Sequence, residues 1–229
     1  MPLSIAIDGT AGAGKGYLSD KLAGILNICH LDTGAIYRTI AFACKQHGID
    51  VNNESEVEKV LETDKIEIKF ENQVQYNYLN GEDLGERIRN IEIGEMASIV
   101  STYLKIREFA TNLQHELAKV YDVIIEGRDI GTVVLPDAEF KFYLDATPEE
   151  RARRRIKQNK LTPEEYQLVL QSIIDRDERD KTRKISPLRK ADDAIYIDTT
   201  NMKKDEVVDL VLSYIKKWAK CSFFLKIVF

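Results

Sequence analysis

This 229-residue sequence predicts a doubly wound α/β fold, a parallel sheet with helices on both faces. Short apolar runs alternate along the chain with longer stretches of helical periodicity, the strand-crossover-strand rhythm of a parallel sheet. The runs end on acidic or small residues, as strands do when they deliver a ligand site at their carboxyl ends. The first run also opens through a glycine-rich turn onto a helix, a context that binds phosphate.

Residues 3–7 are the first apolar run, fit for a buried parallel strand, and stop at Asp8-Gly9. Residues 15–26 follow as a helix with Leu18, Leu22 and Ile25 or Leu26 on one face. Residues 27–31 give a second strand closed by Asp32-Thr33-Gly34, and residues 34–46 a second helix. The stretch 51–85 breaks the rhythm: 65–70 and 74–79 alternate polar and apolar residues, and Asn80-Gly81 is a hairpin signal before 82–84. It reads as an antiparallel insertion, a small subdomain on the main fold. Residues 123–125, 140–144 and 195–197 supply the remaining strands. Thr147-Pro148-Glu149-Glu150 and Thr162-Pro163-Glu164-Glu165 are two identical helix starts, each with a Thr cap, Pro first and Glu third. Between them Arg151-Ala152-Arg153-Arg154-Arg155 forms a basic cluster on a short helix and loop. The end, 222–229, reads as an extra packed strand or an exposed tail.

Composition narrows the function classes. Hydrophobic residues at 44% and charged residues at 31% give a soluble globular chain, neither disordered nor collagen-like. With 33 Lys plus Arg against 38 Asp plus Glu, a net charge of -5, any polyanion site is a local patch. No apolar run approaches the roughly 20 residues that span a bilayer. Met1-Pro2-Leu3-Ser4 lacks the basic stretch and apolar core of a signal peptide, so a cytoplasmic protein is expected. Cys29, Cys44 and Cys221 hold no Cys-x-x-Cys, and His30, His47 and His115 show no ligand spacing, which argues against a disulfide framework or structural zinc.

The loop Gly9-Thr10-Ala11-Gly12-Ala13-Gly14-Lys15-Gly16 lies between a predicted strand and a predicted helix. Its glycines let successive N–H groups face a phosphate, the helix dipole adds positive potential, and Lys15 reaches the transferred phosphoryl group. Gly16 and then Tyr17 stand where a Ser or Thr hydroxyl ordinarily meets magnesium. The metal would then be held by nucleotide oxygens, water and an acid such as Asp8 or Glu126.

A GTPase would need Asn-Lys-x-Asp to read its base, and Asn159-Lys160-Leu161-Thr162 lacks the Asp. Arginines at Arg38, Arg107, Arg128, Arg176 and Arg183, with the Arg151 cluster, point instead to a second phosphorylated substrate, because the guanidinium fork binds two oxygens at once. Thr33 to Arg38 sits at a strand end, Glu126-Gly127-Arg128-Asp129 follows the strongest strand, and Arg176, Asp180 and Arg183 share a helix face at i, i+4 and i+7.

These segments, Ile5-Ala6-Ile7-Asp8-Gly9 with its loop, Leu31 to Arg38, Glu126 to Val134 and Arg176 through Arg183, resemble bacterial cytidylate kinases, in order, over about residues 3–215. The resemblance implies a nucleoside monophosphate kinase fold of the phosphate-loop type, ATP and CMP or dCMP as substrates, and magnesium with ATP. It implies a core (1–33, 103–146 and 187–221), a monophosphate-binding part (about 34–102) carrying the β insertion, and a short helical lid (about 147–165). Thr33, Tyr37, Arg38 and Arg128 would hold the acceptor phosphate; Ser98, Arg107, Asp129 and Arg183 would read the cytosine; Arg176 and Asp180 would reach the ribose. Gly9 through Tyr17 would hold ATP, with Arg151, Arg154 or Arg155 closing over it and Lys15, Arg128 and Arg155 as catalytic groups.

Some positions depart from the family pattern. Tyr17 replaces a Thr of relatives that continue Gly-Lys-Gly-Thr, Leu104 stands in place of a frequent Pro, and Gln114-His115 in place of Gln-Arg, losing a positive charge near the acceptor part. A non-catalytic nucleotide-binding relative is the competing reading, opposed by retention of both half-sites. RNA binding by the Arg151 to Arg155 cluster is a third, opposed by the acidic balance and the lack of aromatic residues there. No membrane or nucleic-acid partner is expected, and a monomer is the default.

Overall fold

A computed structural model describes residues 2–221 of the chain; the tail at 222–229 lies outside the described residues. In chain order they form β1 (Ser4–Gly9), α1 (Lys15–Leu26), β2 (Cys29–Asp32), α2 (Thr33–Gln46) and α3 (Glu54–Thr63). Next come β3 (Ile66–Glu71), β4 (Val74–Leu79), β5 (Glu82–Asp83), α4 (Ile91–Val100), α5 (Leu104–Val120), β6 (Val123–Glu126) and β7 (Phe140–Asp145). The chain closes with α6 (Pro148–Asn159), α7 (Tyr166–Thr182), β8 (Ile195–Asp198) and α8 (Lys204–Cys221).

Five strands make a parallel sheet in the order β2-β6-β1-β7-β8. Its register explains the plain apolar runs. Ile5 pairs with Ile124 and Phe140, and Ile7 with Phe142, so these side chains share one face. They pack with Leu18 and Leu22 of α1 and Val211 and Ile215 of α8. Ala6, Leu31, Val123 and Ile125 turn to the other face, against Ile36 and Ile40 of α2 and Ile106 and Ala110 of α5. A strand covered on both sides has no position for alternation. The two open positions on α1 separate clearly: Leu26 is buried, whereas Ile25 is 51% exposed.

The insertion differs from its sequence reading in its first third. The strands β3, β4 and β5 form an antiparallel sheet, but α3 precedes them, packing Val57 and Val60 inward, turning Glu54 and Glu62 to water and pairing Glu58 with Lys105 of α5. The β3–β4 turn is built by Asn72 and Gln73, both at positive φ (49 and 67), matching the twist that a two-residue hairpin turn requires. Thr147 accepts a bond from the Glu150 N–H at 3.3 Å, and the Thr162 N–H donates to Glu165 Oε2 at 2.8 Å, so both helix starts are capped. The Arg151 cluster lies on the continuous helix α6 rather than on a short helix and loop. Leu104 is the first residue of α5, a place where a proline is tolerated as well.

Candidate active site

All the carboxyl ends of β1, β2 and β6 open on one cleft of about 1760 Å³. It is lined by Ala11–Tyr17 of the loop, by Thr33, Tyr37, Arg38 and Arg128, and by Ser98, Arg107, Asp129, Arg176, Asp180 and Arg183. The sequence-predicted residues of both substrates therefore share one cavity, with Gly9 and Thr10 set behind the loop.

Backbone geometry forces the loop's composition. A Cβ at Gly9 would stand 1.8 Å from the Leu144 carbonyl oxygen, so the strand-to-loop transition admits glycine alone. Gly14 caps α1 at φ 102 without a side-chain bond, which leaves the first N–H groups of the helix for a ligand. Lys15 is buried and donates from Nζ to the carbonyls of Gly9 and Thr10 at 2.9 and 2.8 Å. Burial, with Arg128 nearby, pushes its pKa down to about 7.

Two further cations line the same cleft. Arg128 donates from Nε to Asp180 at 2.8 Å. Arg176 has no hydrogen-bond or ion-pair partner among the described residues, and its buried Nε is unsatisfied. Burial and the neighbouring Arg128 push its pKa down to about 10. Cations crowded in a desolvated cleft repel one another, and an anion of several charges relieves that repulsion. Arg155 also lines the cleft without a partner among the described residues. Arg38 pairs with Asp32 at 3.2 Å, and Thr33 donates its hydroxyl to the Glu126 carbonyl at 2.7 Å, tying the ends of β2 and β6 together.

Asp129 and its partners carry a different chemistry. Asp129 is buried and receives Arg107 Nη2 on one oxygen and Arg183 Nη2 on the other at 3.3 Å. Arg107 is also bonded to the Ser101 carbonyl at 3.1 Å and lies over the Tyr37 ring at 5.9 Å. A carboxylate fixed between two guanidiniums still has lone pairs that can accept from an amine.

Several expectations are corrected. Arg151 does not close over the loop from outside. It is 2% exposed and donates to Ala146 O (2.8 Å), Ala11 O (3.1 Å) and both oxygens of Asp177, fastening α6, α7 and the loop from behind. Arg154 is held by Glu150 and Thr199, leaving Arg155 as the unpartnered arginine of the cluster. With Arg151 buried, the arginines of the cluster that reach the surface are Arg153, Arg154 and Arg155. Asp8 does not face the cleft: its carboxylate accepts the N–H groups of Ile130 and Gly131 at 2.8 and 2.7 Å, and burial raises its pKa to about 6. Tyr17 lines the cleft but donates its hydroxyl to Asp205 at 2.6 Å, joining α1 to α8. His115 is bonded to the Val134 carbonyl at 2.7 Å and does not line the cleft.

The Arg151–Asp177 pair yields a direct prediction. Arg151→Met removes one member of a buried ion pair and is expected to lower the unfolding free energy by about 3–5 kcal/mol, read by urea denaturation. A change below about 1 kcal/mol would show the pair to be dispensable.

Sequence reading missed His30 and Arg179. His30 bridges Asp20 (2.6 Å) and Glu126 (3.2 Å); burial lowers its pKa, but the two carboxylates outweigh this and raise it to about 10. Arg179 reaches from α7 to Ser98 Oγ at 2.8 Å.

The family profile described as Cytidylate kinase matches residues 5–217 of the chain. A cytidylate kinase of Clostridioides difficile is 44% identical over 215 residues, covering 93% of this chain and 98% of that protein. One from Shouchella clausii is 41% identical over 219 residues, with 95% and 97% covered. One from Caldicellulosiruptor bescii is 44% identical over 221 residues, again with 95% and 97% covered.

Proposed function

The chain belongs to the cytidylate kinase family, and from that premise we propose that its cleft transfers the γ-phosphoryl group of ATP to CMP or dCMP. The observation that carries the substrate is Asp129, held between Arg107 and Arg183 in the same cleft as Lys15. An acceptor fixed there can receive the exocyclic amine of cytosine, while the carbonyl oxygen that uracil has in its place sets two acceptors face to face with no proton between them. The acceptor phosphate is already a nucleophile, so no general base is required, and catalysis rests on alignment and charge neutralisation. Lys15 and the first turn of α1 hold the donor phosphates. Arg128, Arg176 and Arg38 hold the acceptor phosphate and the charge that develops between the two, Arg176 having its guanidinium free for an anion as well as a ribose. Asp180 orients Arg128, and Arg155 covers the transferring group.

Magnesium fits this donor set through Glu126. A Cβ at Gly16 would lie 3.2 Å from Glu126 Oε1, so the carboxylate occupies the space that a loop hydroxyl would take, and His30 holds it there. Among the described residues no group of three or more His, Cys, Asp or Glu gathers as a metal cage, which suits a hard cation carried mainly by phosphate oxygens and water. When bound, magnesium neutralises charge on the phosphates during transfer. The lid is assigned to α6 and the turn after it (147–165), and the monophosphate-binding part to 34–102. No helix among the described residues is long and apolar enough to cross a membrane, and a cytoplasmic monomer is the working assignment.

The test is ADP release from magnesium-ATP on adding CMP, dCMP, UMP or AMP in turn. Brisk release with CMP and dCMP alone is the expected result. Binding of CMP without release from any acceptor would overturn the kinase reading in favour of a non-catalytic relative.

A further inference from the structure

We propose that Arg179 is a positioning residue for base choice, which holds the Ser98 hydroxyl as an oriented donor toward the pyrimidine. Resting on the CMP reading above, this adds a residue to the specificity apparatus that neither the sequence motifs nor the loop geometry singled out.

Arg179 stands on α7 and Ser98 on α4, two helices on different sides of the cleft, and Arg179 Nη1 donates to Ser98 Oγ at 2.8 Å. Ser98 is buried and lines the cleft, whereas Arg179 is half-buried behind it. A helical serine commonly sends its proton to a carbonyl within its own helix, as Ser101 does to the Ser98 carbonyl at 3.0 Å. Among the described residues the Ser98 hydroxyl proton has no such acceptor. A guanidinium has five donors and no acceptor, so its bond to Oγ occupies a lone pair and cannot take that proton. The Ser98 hydroxyl is thereby left to donate.

The pyrimidines differ at the atom such a donor meets. N3 of cytosine is an acceptor; N3 of uracil carries a hydrogen. A fixed donor hydroxyl therefore favours cytosine and leaves uracil with two opposed N–H and O–H groups, which is costly in a desolvated pocket. Asp129, from the other wall, presents an acceptor. One donor and one acceptor held in fixed senses match the cytosine edge and reverse the uracil edge. Without Arg179, Ser98 can rotate and accept instead, and the discrimination by this group is lost.

The experiment is the ratio of kcat/KM for CMP to that for UMP, with the two acceptors in competition, for the wild type, Arg179→Ala, Ser98→Ala and the double variant. Competition cancels the concentration of active enzyme, so a partly folded variant still reports. The expected result is a fall in the ratio of about tenfold or more in Arg179→Ala, mainly through KM for CMP, and no further fall when that change is added to Ser98→Ala. Arg179→Lys, which keeps a donor on the same helix, is expected to retain most of the preference. Equal losses for CMP and UMP, or an undiminished effect of Arg179→Ala in the Ser98→Ala background, would overturn the proposal and leave Arg179 as a brace between helices. A wild type that uses CMP and UMP alike would overturn the cytidylate reading itself.

Discussion

Lys15→Ala is expected to lower kcat for ADP formation by about a thousandfold, measured at saturating ATP and CMP. Lys15 is buried at the end of the loop, and its Nζ rests on two backbone carbonyls, 2.9 and 2.8 Å away, that a triphosphate oxygen can replace as partners. The charge it brings acts in a site closed to water, where no rearranged solvent can substitute for it. A loss below about tenfold would show that Arg128 and Arg176 carry the neutralisation between them.

The same lysine gives a proton signature. Its pKa in the folded protein is about 7, below the ordinary lysine value because burial disfavours the cation. Between about 7 and the unfolded value near 10.5 the unfolded chain binds a proton that the folded chain has released, so this group makes stability rise with pH across that window. A bound polyphosphate favours the cation and reverses the shift. ADP binding at pH 8 is therefore expected to take up protons, read by calorimetry in buffers of different ionisation enthalpy, and Lys15→Ala is expected to abolish most of that uptake.

What the sequence could disclose depends on how local each cause is. The helix at Lys15–Leu26 was legible because its leucines repeat at helical spacing directly after the glycine loop. The helix α3 was hidden: its buried face is only Val57 and Val60 amid acidic residues, too narrow a stripe to stand out. Motif residues along both walls of the cleft were legible because each ends a strand or shares a helix face. Arg151 was misread because the partner that buries it, Asp177, lies 26 residues away on another helix. His30 could not be seen as a neighbour of Glu126 until β2 and β6 were known to pair, since 96 residues separate them. Arg179 carried a signal that went unused, lying three residues after Arg176 on a helix already read as facing the substrate.

Asp129→Ala is expected to lower kcat/KM for CMP by about a thousandfold while leaving KM for ATP within about twofold. The carboxylate is buried, with Arg107 and Arg183 on its two oxygens, so truncation removes the acceptor for the cytosine amine and leaves two guanidiniums uncompensated beside the base. Part of the loss is stability, about 3–5 kcal/mol for a buried pair broken on one side. Asp129→Asn separates the two effects, because it keeps the volume and exchanges a charged acceptor for an amide. If base reading governs, Asp129→Asn also loses CMP turnover, yet its urea midpoint stays closer to that of the wild type than the alanine variant's does. The donor end offers the control. Among the described residues no hydrogen bond joins Asp129 to Lys15 or the loop, so a rise in KM for ATP equal to the loss for CMP would mean that Asp129 organises the whole site rather than the cytosine pocket.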